Sequence, residues 1–179
     1  MNPDIKTILY SEEQIRKRSE ELGKQIGEDY RDRPQAPLLV ALLRGSVPFL
    51  AELIKHIDLD IEYDFMDVTS YEGTNSTGDI KILKDLDTSV KGRDILVVED
   101  IVDTGKTVAA VREMLMHKGA SSVKIVTLLN KPSRRTEQEE PDYVGFFVDN
   151  LFVVGFGMDF NQKYRCLPYI GVLKDELYQ

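Results

Sequence analysis

The chain has 179 residues, 42% of them hydrophobic and 30% charged, with a formal net charge of −8. A domain of that length buries roughly 70% of its unfolded surface, so it needs no metal or disulfide staple, and nothing in the composition argues for disorder. The acidity excludes broad electrostatic attraction to nucleic acid or an anionic membrane, so any bound phosphate must be held locally, by backbone N–H groups and a few placed cations.

The lone Cys166 has no partner for an internal disulfide, which suits a reducing, cytoplasmic setting. Met1-Asn2-Pro3-Asp4 lacks the basic and apolar regions of a signal peptide, and the richest apolar stretch, Leu38 to Ile54, is broken by Arg44, Gly45, Pro48 and Glu52. Neither a leader nor a membrane span is expected.

In chain order, Ser11-Glu12-Glu13-Gln14 has the form of a capping box, and Ile15, Leu22 and Ile26 recur at near-helical spacing. A charged surface helix is predicted from Ser11 to Asp29, ended by the Arg-Asp-Arg-Pro turn. Leu38 to Leu43 is a continuous apolar run, the pattern of a parallel strand covered on both faces. Arg44-Gly45-Ser46 then turns, and Ser46 is expected to cap a helix with Pro48 in its first turn and Phe49, Leu50, Leu53 and Ile54 inward. Asp60 to Phe65 alternates, predicting a strand with Ile61, Tyr63 and Phe65 inward and Asp60, Glu62 and Asp64 wet.

Ser70 to Asp79 is polar with two glycines and is read as a mobile loop, followed by a return strand from Ile80 to Leu83. Asp94 to Val98 is a second buried strand, Glu99 to Gly105 a turn, and Thr104 to Lys118 a helix stopped by Gly119. Val123 to Leu129 is a third buried strand and Lys131 to Asp142 a charged loop. Val144 to Val148, Phe152 to Phe156 and Tyr169 to Leu173 complete the predicted strands. Buried strands alternating with helices argue an α/β fold with a mainly parallel sheet flanked by helices, so chemistry is expected beyond the carboxyl ends of the strands, after Leu43, Val98 and Leu129.

The informative segment runs from Ile95 to Thr107. An apolar strand delivers Glu99 and Asp100, then Asp103, then Thr104-Gly105-Lys106-Thr107 at a helix start. Helix N–H groups and the two hydroxyls suit a phosphate, Gly105 permits close approach, and the upstream carboxylates suit a sugar diol. Asp103 taken alone reads equally as a helix cap. Two look-alikes fail: a P-loop ending at Gly105-Lys106-Thr107 would need its first glycine at Asp100, and a dinucleotide fingerprint starting at Gly155-Phe156-Gly157 meets Phe160 at its third glycine.

Ile95 to Thr107 resembles the signature of type I phosphoribosyltransferases that binds phosphoribosyl pyrophosphate (PRPP), and Asp103 in its ninth position is similar to the 6-oxopurine branch. Leu43-Arg44-Gly45, Ser70-Tyr71, Leu129-Asn130-Lys131, Phe152 to Gly155, Met158-Asp159-Phe160 and Arg165 resemble that branch in the same order, over nearly the whole chain. The resemblance implies a single type I phosphoribosyltransferase domain over residues 1–179. Its core would span roughly 35–145, with a small hood for the base built from the N-terminal segment and 146–179, and a lid loop at 69–80. It implies an Mg²⁺-dependent transferase that moves the 5-phosphoribosyl group from PRPP to hypoxanthine or guanine, giving IMP or GMP and pyrophosphate. Relatives of this kind are usually homodimers or homotetramers.

By the same resemblance, Glu99 and Asp100 hold the ribose hydroxyls, directly or through Mg²⁺, with Asp159 as a further metal carboxylate. Asp103, Thr104, Gly105, Lys106 and Thr107 cradle the 5′-phosphate, and Asp103 also exchanges a proton with purine N7. Arg44 and Gly45 form a pyrophosphate loop, in which relatives often carry Lys at the position of Arg44 and one peptide can be cis. Arg165 is a second pyrophosphate contact, Lys131 donates to purine O6, Phe152 stacks on the base, and the Val153 carbonyl meets its N1/N2 edge. Ser70 and Tyr71 head the lid. The plain alternatives are a surface ion pair for Arg165 and a loop lysine for Lys131, while Phe152 and Val153 read equally as strand core, which periodicity alone favours. His56 and His117 read as structural or surface residues.

An RNA-binding regulator on the same fold is the competing class. The net acidity speaks against it, since among the scattered basic residues only Lys131, Arg134 and Arg135 cluster. A catalytically dead binding module and a xanthine-preferring transferase are the other readings.

Overall fold

The computed structural model describes residues 2–70 and 80–178. Tyr71 and nearly all of the expected lid lie outside the described residues; Ser70 ends a strand. The strands are β1 (Ile5–Tyr10), β2 (Leu38–Leu42), β3 (Glu62–Ser70), β4 (Ile80–Lys84), β5 (Asp94–Val102), β6 (Ser122–Asn130), β7 (Tyr143–Phe147), β8 (Val153–Val154) and β9 (Ile170–Leu173). The helices are α1 (Glu12–Tyr30), α2 (Val47–Leu53) and α3 (Lys106–His117).

Six strands form one sheet in the order β4-β3-β2-β5-β6-β7. All neighbours run parallel except β4, which returns antiparallel along β3. The expected α/β architecture is therefore present. The apolar runs have a direct structural reason: alternate residues feed two separate cores. Leu39, Ala41, Leu96, Val98, Val126 and Leu128 pack with Ile15, Leu22, Ile26, Phe49 and Leu53 of α1 and α2. Leu38, Val40, Ile95, Val97 and Ile125 pack with Val108, Val111 and Leu115 of α3 on the opposite face. Each fully buried side chain of this size contributes about 2 kcal/mol of transfer free energy. A second, antiparallel sheet has the order β1-β9-β8, with Ile5, Val154 and Leu173 buried beneath it. β1 was not anticipated, because six residues alternating weakly at a chain end carry little signal.

Several local expectations need correction. The capping box at Ser11 forms as read, but Ser46, though it holds the N-cap position of α2, makes no side-chain cap: its backbone is already αR and its hydroxyl donates back to the Leu42 carbonyl. Ile54 falls in a 3₁₀ turn after α2. The faces of β3 are partly reversed, with Tyr63 52% exposed and Asp64 only 7% exposed. Asp64 turns inward because it accepts N–H bonds from Asp87 and Thr88, both 2.8 Å, and from Phe65 at 2.7 Å. The segment after Val98 is not a turn: β5 continues to Val102, paired through Ile101↔Leu129 and Val102↔Asn130. The helix that follows starts at Lys106, with Gly105 as its cap at φ 84°. The strand expected from Phe152 to Phe156 reduces to Val153–Val154, since Gly155 (φ 99°) begins a tight turn.

Candidate active site

The middle of the large sheet delivers two loops side by side. β2 runs into Leu43-Arg44-Gly45, where the Leu43–Arg44 peptide is cis. β5 runs into Asp103-Thr104-Gly105. The two touch so closely that a Cβ on Gly45 would lie 1.8 Å from Asp100 Oδ2. A third segment closes on them from the small sheet, since a Cβ on Gly157 (φ 100°) would lie 1.9 Å from the Gly45 carbonyl oxygen. Only glycine permits either approach.

Glu99 and Asp100 stand on β5 at the floor of this junction. Desolvation, then the neighbouring Asp100 charge, hold the Glu99 carboxyl well above the usual carboxylate range. Desolvation also pushes Asp100 up to about 6, against N–H donors and the Arg165 charge, which pull it down. Two carboxyls under that stress gain from a ligand that brings cations or hydroxyl donors. Asp103 sits further along: Arg134 approaches its Oδ2 at 3.3 Å, and its Oδ1 is buried with no hydrogen-bond partner among the described residues. A cavity of about 90 Å³ lies over the strand end, lined among others by Glu99, Asp103, Thr104, Gly105 and Thr107. Lys106 is exposed at the helix start; its N–H is 3.4 Å from the Thr104 hydroxyl.

Lys131 follows β6 and is buried, 5% exposed, with its N–H bonded to the Val102 carbonyl and its Nζ donating to the Leu151 carbonyl at 2.9 Å. Burial lowers its pKa, the Asp103 charge raises it, and Arg134 lowers it again, so the ammonium and the Asp103 carboxylate share one neighbourhood. The Leu151 carbonyl leads directly into Phe152, whose ring stacks on Tyr178 with centroids 4.6 Å apart and meets Phe160 edge-on at 5.4 Å. Val153 is 8% exposed. Arg165 donates to the Gly157 carbonyl at 2.8 Å and pairs with Asp159 at 2.9 Å. The Arg165 and Asp159 charges both act on Asp100, which puts this pair at the same junction.

Of the residues singled out by sequence, the described ones therefore gather around the carboxyl ends of β2, β5 and β6; Ser70 ends β3, beside them in the same sheet. Sequence reasoning missed the roles of Asn130, Arg134, Arg135, Gly157 and Tyr178 in building it. The arginines were visible as a basic cluster, but nothing in their spacing said that they turn toward Asp103.

Among the described residues no three His, Cys, Asp or Glu side chains form a metal cage. The donor set is instead the kind that suits Mg²⁺ held through one or two carboxylates and the oxygens of a phosphorylated ligand. Glu99 and Asp100 are adjacent carboxylates of that kind, while Asp159 is paired with Arg165.

The family described as the phosphoribosyl transferase domain matches residues 7–161, and the chain belongs to that family. Within it, the chain is 54% identical to the hypoxanthine-guanine phosphoribosyltransferase of Streptococcus thermophilus, over 99% of this chain and 98% of that protein. It is 56% identical to the protein of the same name from Lactococcus lactis, over 97% and 94%. Among solved structures, a hypoxanthine phosphoribosyltransferase from Staphylococcus aureus superposes with a TM-score of 0.92 at 46% identity, covering 98% of this chain and 95% of that one. A variant of the Trypanosoma cruzi enzyme in a ternary complex with its substrates gives 0.94 at 36% identity, covering 98% and 99%.

Proposed function

We propose that this protein is a purine-salvage transferase that moves the 5-phosphoribosyl group from PRPP to hypoxanthine or guanine, releasing pyrophosphate and forming IMP or GMP. The observation that carries this reading is a buried Asp103 oxygen with no hydrogen-bond partner among the described residues, in the neighbourhood of a buried Lys131 and the β5 carboxylates. An acceptor and a donor in one neighbourhood, next to the turn read as a ribose-phosphate cradle, support a purine site there.

The 5′-phosphate binds the turn from Asp103 to Thr107, through backbone N–H groups and the Thr104 and Thr107 hydroxyls. Glu99 and Asp100 accept from the ribose hydroxyls. Arg44 and Gly45 offer backbone N–H groups to the pyrophosphate, and Arg165 adds a guanidinium. Lys131 donates to purine O6, which disfavours a 6-amino group that is itself a donor. Phe152 stacks on the base, and the Val153 carbonyl accepts from its N1/N2 edge. Purine N9 then bonds to C1′ as the C1′–O bond to pyrophosphate breaks, and the N7 proton passes to Asp103. Glu99 and Asp100, with Asp159 nearby, would hold Mg²⁺, which would supply charge neutralisation on the leaving group. Ser70 and Tyr71 head a lid that excludes water, and the small sheet serves as the hood over the base.

The test is a spectrophotometric assay with PRPP and hypoxanthine, guanine, xanthine or adenine in turn, with and without EDTA. Metal-dependent IMP and GMP formation with adenine inert is expected. No nucleotide from any base would overturn the reading, and leader-RNA binding without purine transfer would favour the regulatory alternative. A cytoplasmic homodimer or homotetramer is the expected form, which sedimentation of the purified protein checks.

A further inference from the structure

The basic cluster at Lys131, Arg134 and Arg135 is the sequence feature that the transfer reaction leaves only partly used. The proposed reaction gives Arg135 no ligand to hold, yet its side chain is just 9% exposed. A guanidinium is withdrawn from water at that cost only where its donors are satisfied. Nη1 donates to the Asp103 carbonyl at 2.9 Å, Nη2 donates to the Asn130 side-chain oxygen, and Nε faces Glu140 at 3.4 Å. The stem lies against Gly105, so that a Cβ there would be 3.0 Å from Arg135 Cδ. The next two residues continue the grip: the Thr136 and Glu137 N–H groups both donate to the Thr104 carbonyl, at 3.0 and 3.2 Å.

These bonds have a directional consequence. In a trans peptide the carbonyl and the following N–H point opposite ways. The only cis bond among the described residues is Leu43–Arg44. Holding the Asp103 carbonyl therefore aims the Thr104 N–H away from Arg135, and holding the Thr104 carbonyl aims the Gly105 N–H away from the Thr136 and Glu137 N–H groups. The cavity over the strand end is lined by Thr104, Gly105 and Thr107, and Arg135 is not among its lining residues.

We infer that Arg135 is a positioning residue for the 5′-phosphate: it holds the loop after β5 from behind and fixes the direction of the N–H groups that bind the phosphate. The inference rests on the phosphoribosyl-transfer reading, and it turns the basic cluster from a nucleic-acid patch into an internal brace. It predicts damage at the ribosyl-phosphate end of the site and not at the base end.

Arg135→Met keeps the stem against Gly105 and removes every donor; Arg135→Lys keeps the charge with different donor geometry. Calorimetry with ribose 5-phosphate, which carries neither pyrophosphate nor base, reads the phosphate subsite directly, and steady-state kinetics read KM for PRPP and for hypoxanthine separately. For Arg135→Met, ribose 5-phosphate affinity should fall, and PRPP KM rise, by roughly tenfold or more, with hypoxanthine KM within about twofold of wild type. Arg135→Lys should recover part of the loss, and if Arg135→Met shows no cooperative melting, a selective loss of about threefold or more in Arg135→Lys carries the test. Unchanged ribose 5-phosphate affinity, or an equal rise in both KM values, would overturn the positioning role. So would a wild-type protein that binds no ribose 5-phosphate. Wild-type protein that binds ribose 5-phosphate but makes no nucleotide would instead sink the transferase reading and leave the loop-positioning test standing.

Discussion

Asp103 is held by unlike contacts: Arg134 meets one carboxylate oxygen, Arg135 the main-chain carbonyl, and the other carboxylate oxygen is left buried with no partner among the described residues. A buried acceptor with no donor costs free energy that a substrate donor restores. Asp103→Asn should lower turnover by about a hundredfold to ten-thousandfold with PRPP KM little changed; steady-state kinetics would show it, and near wild-type turnover would remove the proton role. Lys131→Ala should raise hypoxanthine KM by about tenfold and weaken rejection of adenine, measured as the ratio of kcat/KM for the two bases. Asp64 offers a stability counterpart away from the site. Desolvation pushes its pKa up, but N–H donors from Thr88, Phe65 and Asp87 outweigh this and leave it below the usual value. A depressed folded-state pKa adds stability that is complete above the unfolded value, about 4, and is lost as pH falls through the depressed value. Asp64→Ala should therefore cost about 2 kcal/mol at neutral pH by urea denaturation, and the gap to wild type should narrow below about pH 4. The alternating pattern placed Asp64 on the wet face because periodicity has no knowledge of loop N–H groups arriving from residues 87 and 88.

At the scale of elements, apolar periodicity was reliable wherever an element is covered on both faces, as in β2 and the first half of β5. It failed where pairing and chemistry compete. Glu99, Asp100 and Asp103 read as a turn, yet β6 offers partners as far as Asn130, so the strand extends through Glu99 and Asp100 to Val102 and only Asp103 falls in the loop. The outermost strand, β7, shows a device of the same kind. Arg18 of α1 donates Nε to the Gly145 carbonyl at 2.9 Å and Nη2 to the Val144 carbonyl at 2.7 Å, pinning the helix to the edge strand. An unprotected edge is a template for pairing with another chain. Arg18→Ala should lower stability by about 1–2 kcal/mol and increase aggregation on heating, followed by thermal melts with light scattering. An unchanged melting temperature would show the contact to be ornamental.

At the scale of the whole molecule, the two sheets meet where Gly157 presses on Gly45 and Gly45 on Asp100. Gly157→Ala must separate the turn after β8 from the loop after β2, in a backbone conformation that alanine also resists. It should reduce transfer by about tenfold or more, mainly through PRPP KM, while urea denaturation remains cooperative; retained wild-type kinetics would mean that the junction is not needed for pyrophosphate binding. Taken alone, the sequence determined that apolar strands alternate with helices in a mainly parallel sheet, and that three carboxylates with a Thr-Gly-Lys-Thr turn end one of those strands. Those are properties of single segments, written in side-chain period and local turn chemistry. Only the tertiary structure decided that the Leu43–Arg44 peptide is cis, that Gly45, Asp100 and Gly157 converge, and that Arg135 turns inward to hold the Asp103 carbonyl. The physical reason is that these contacts join segments far apart in the chain, and a residue's own neighbours in sequence carry no record of which distant backbone atom it will meet.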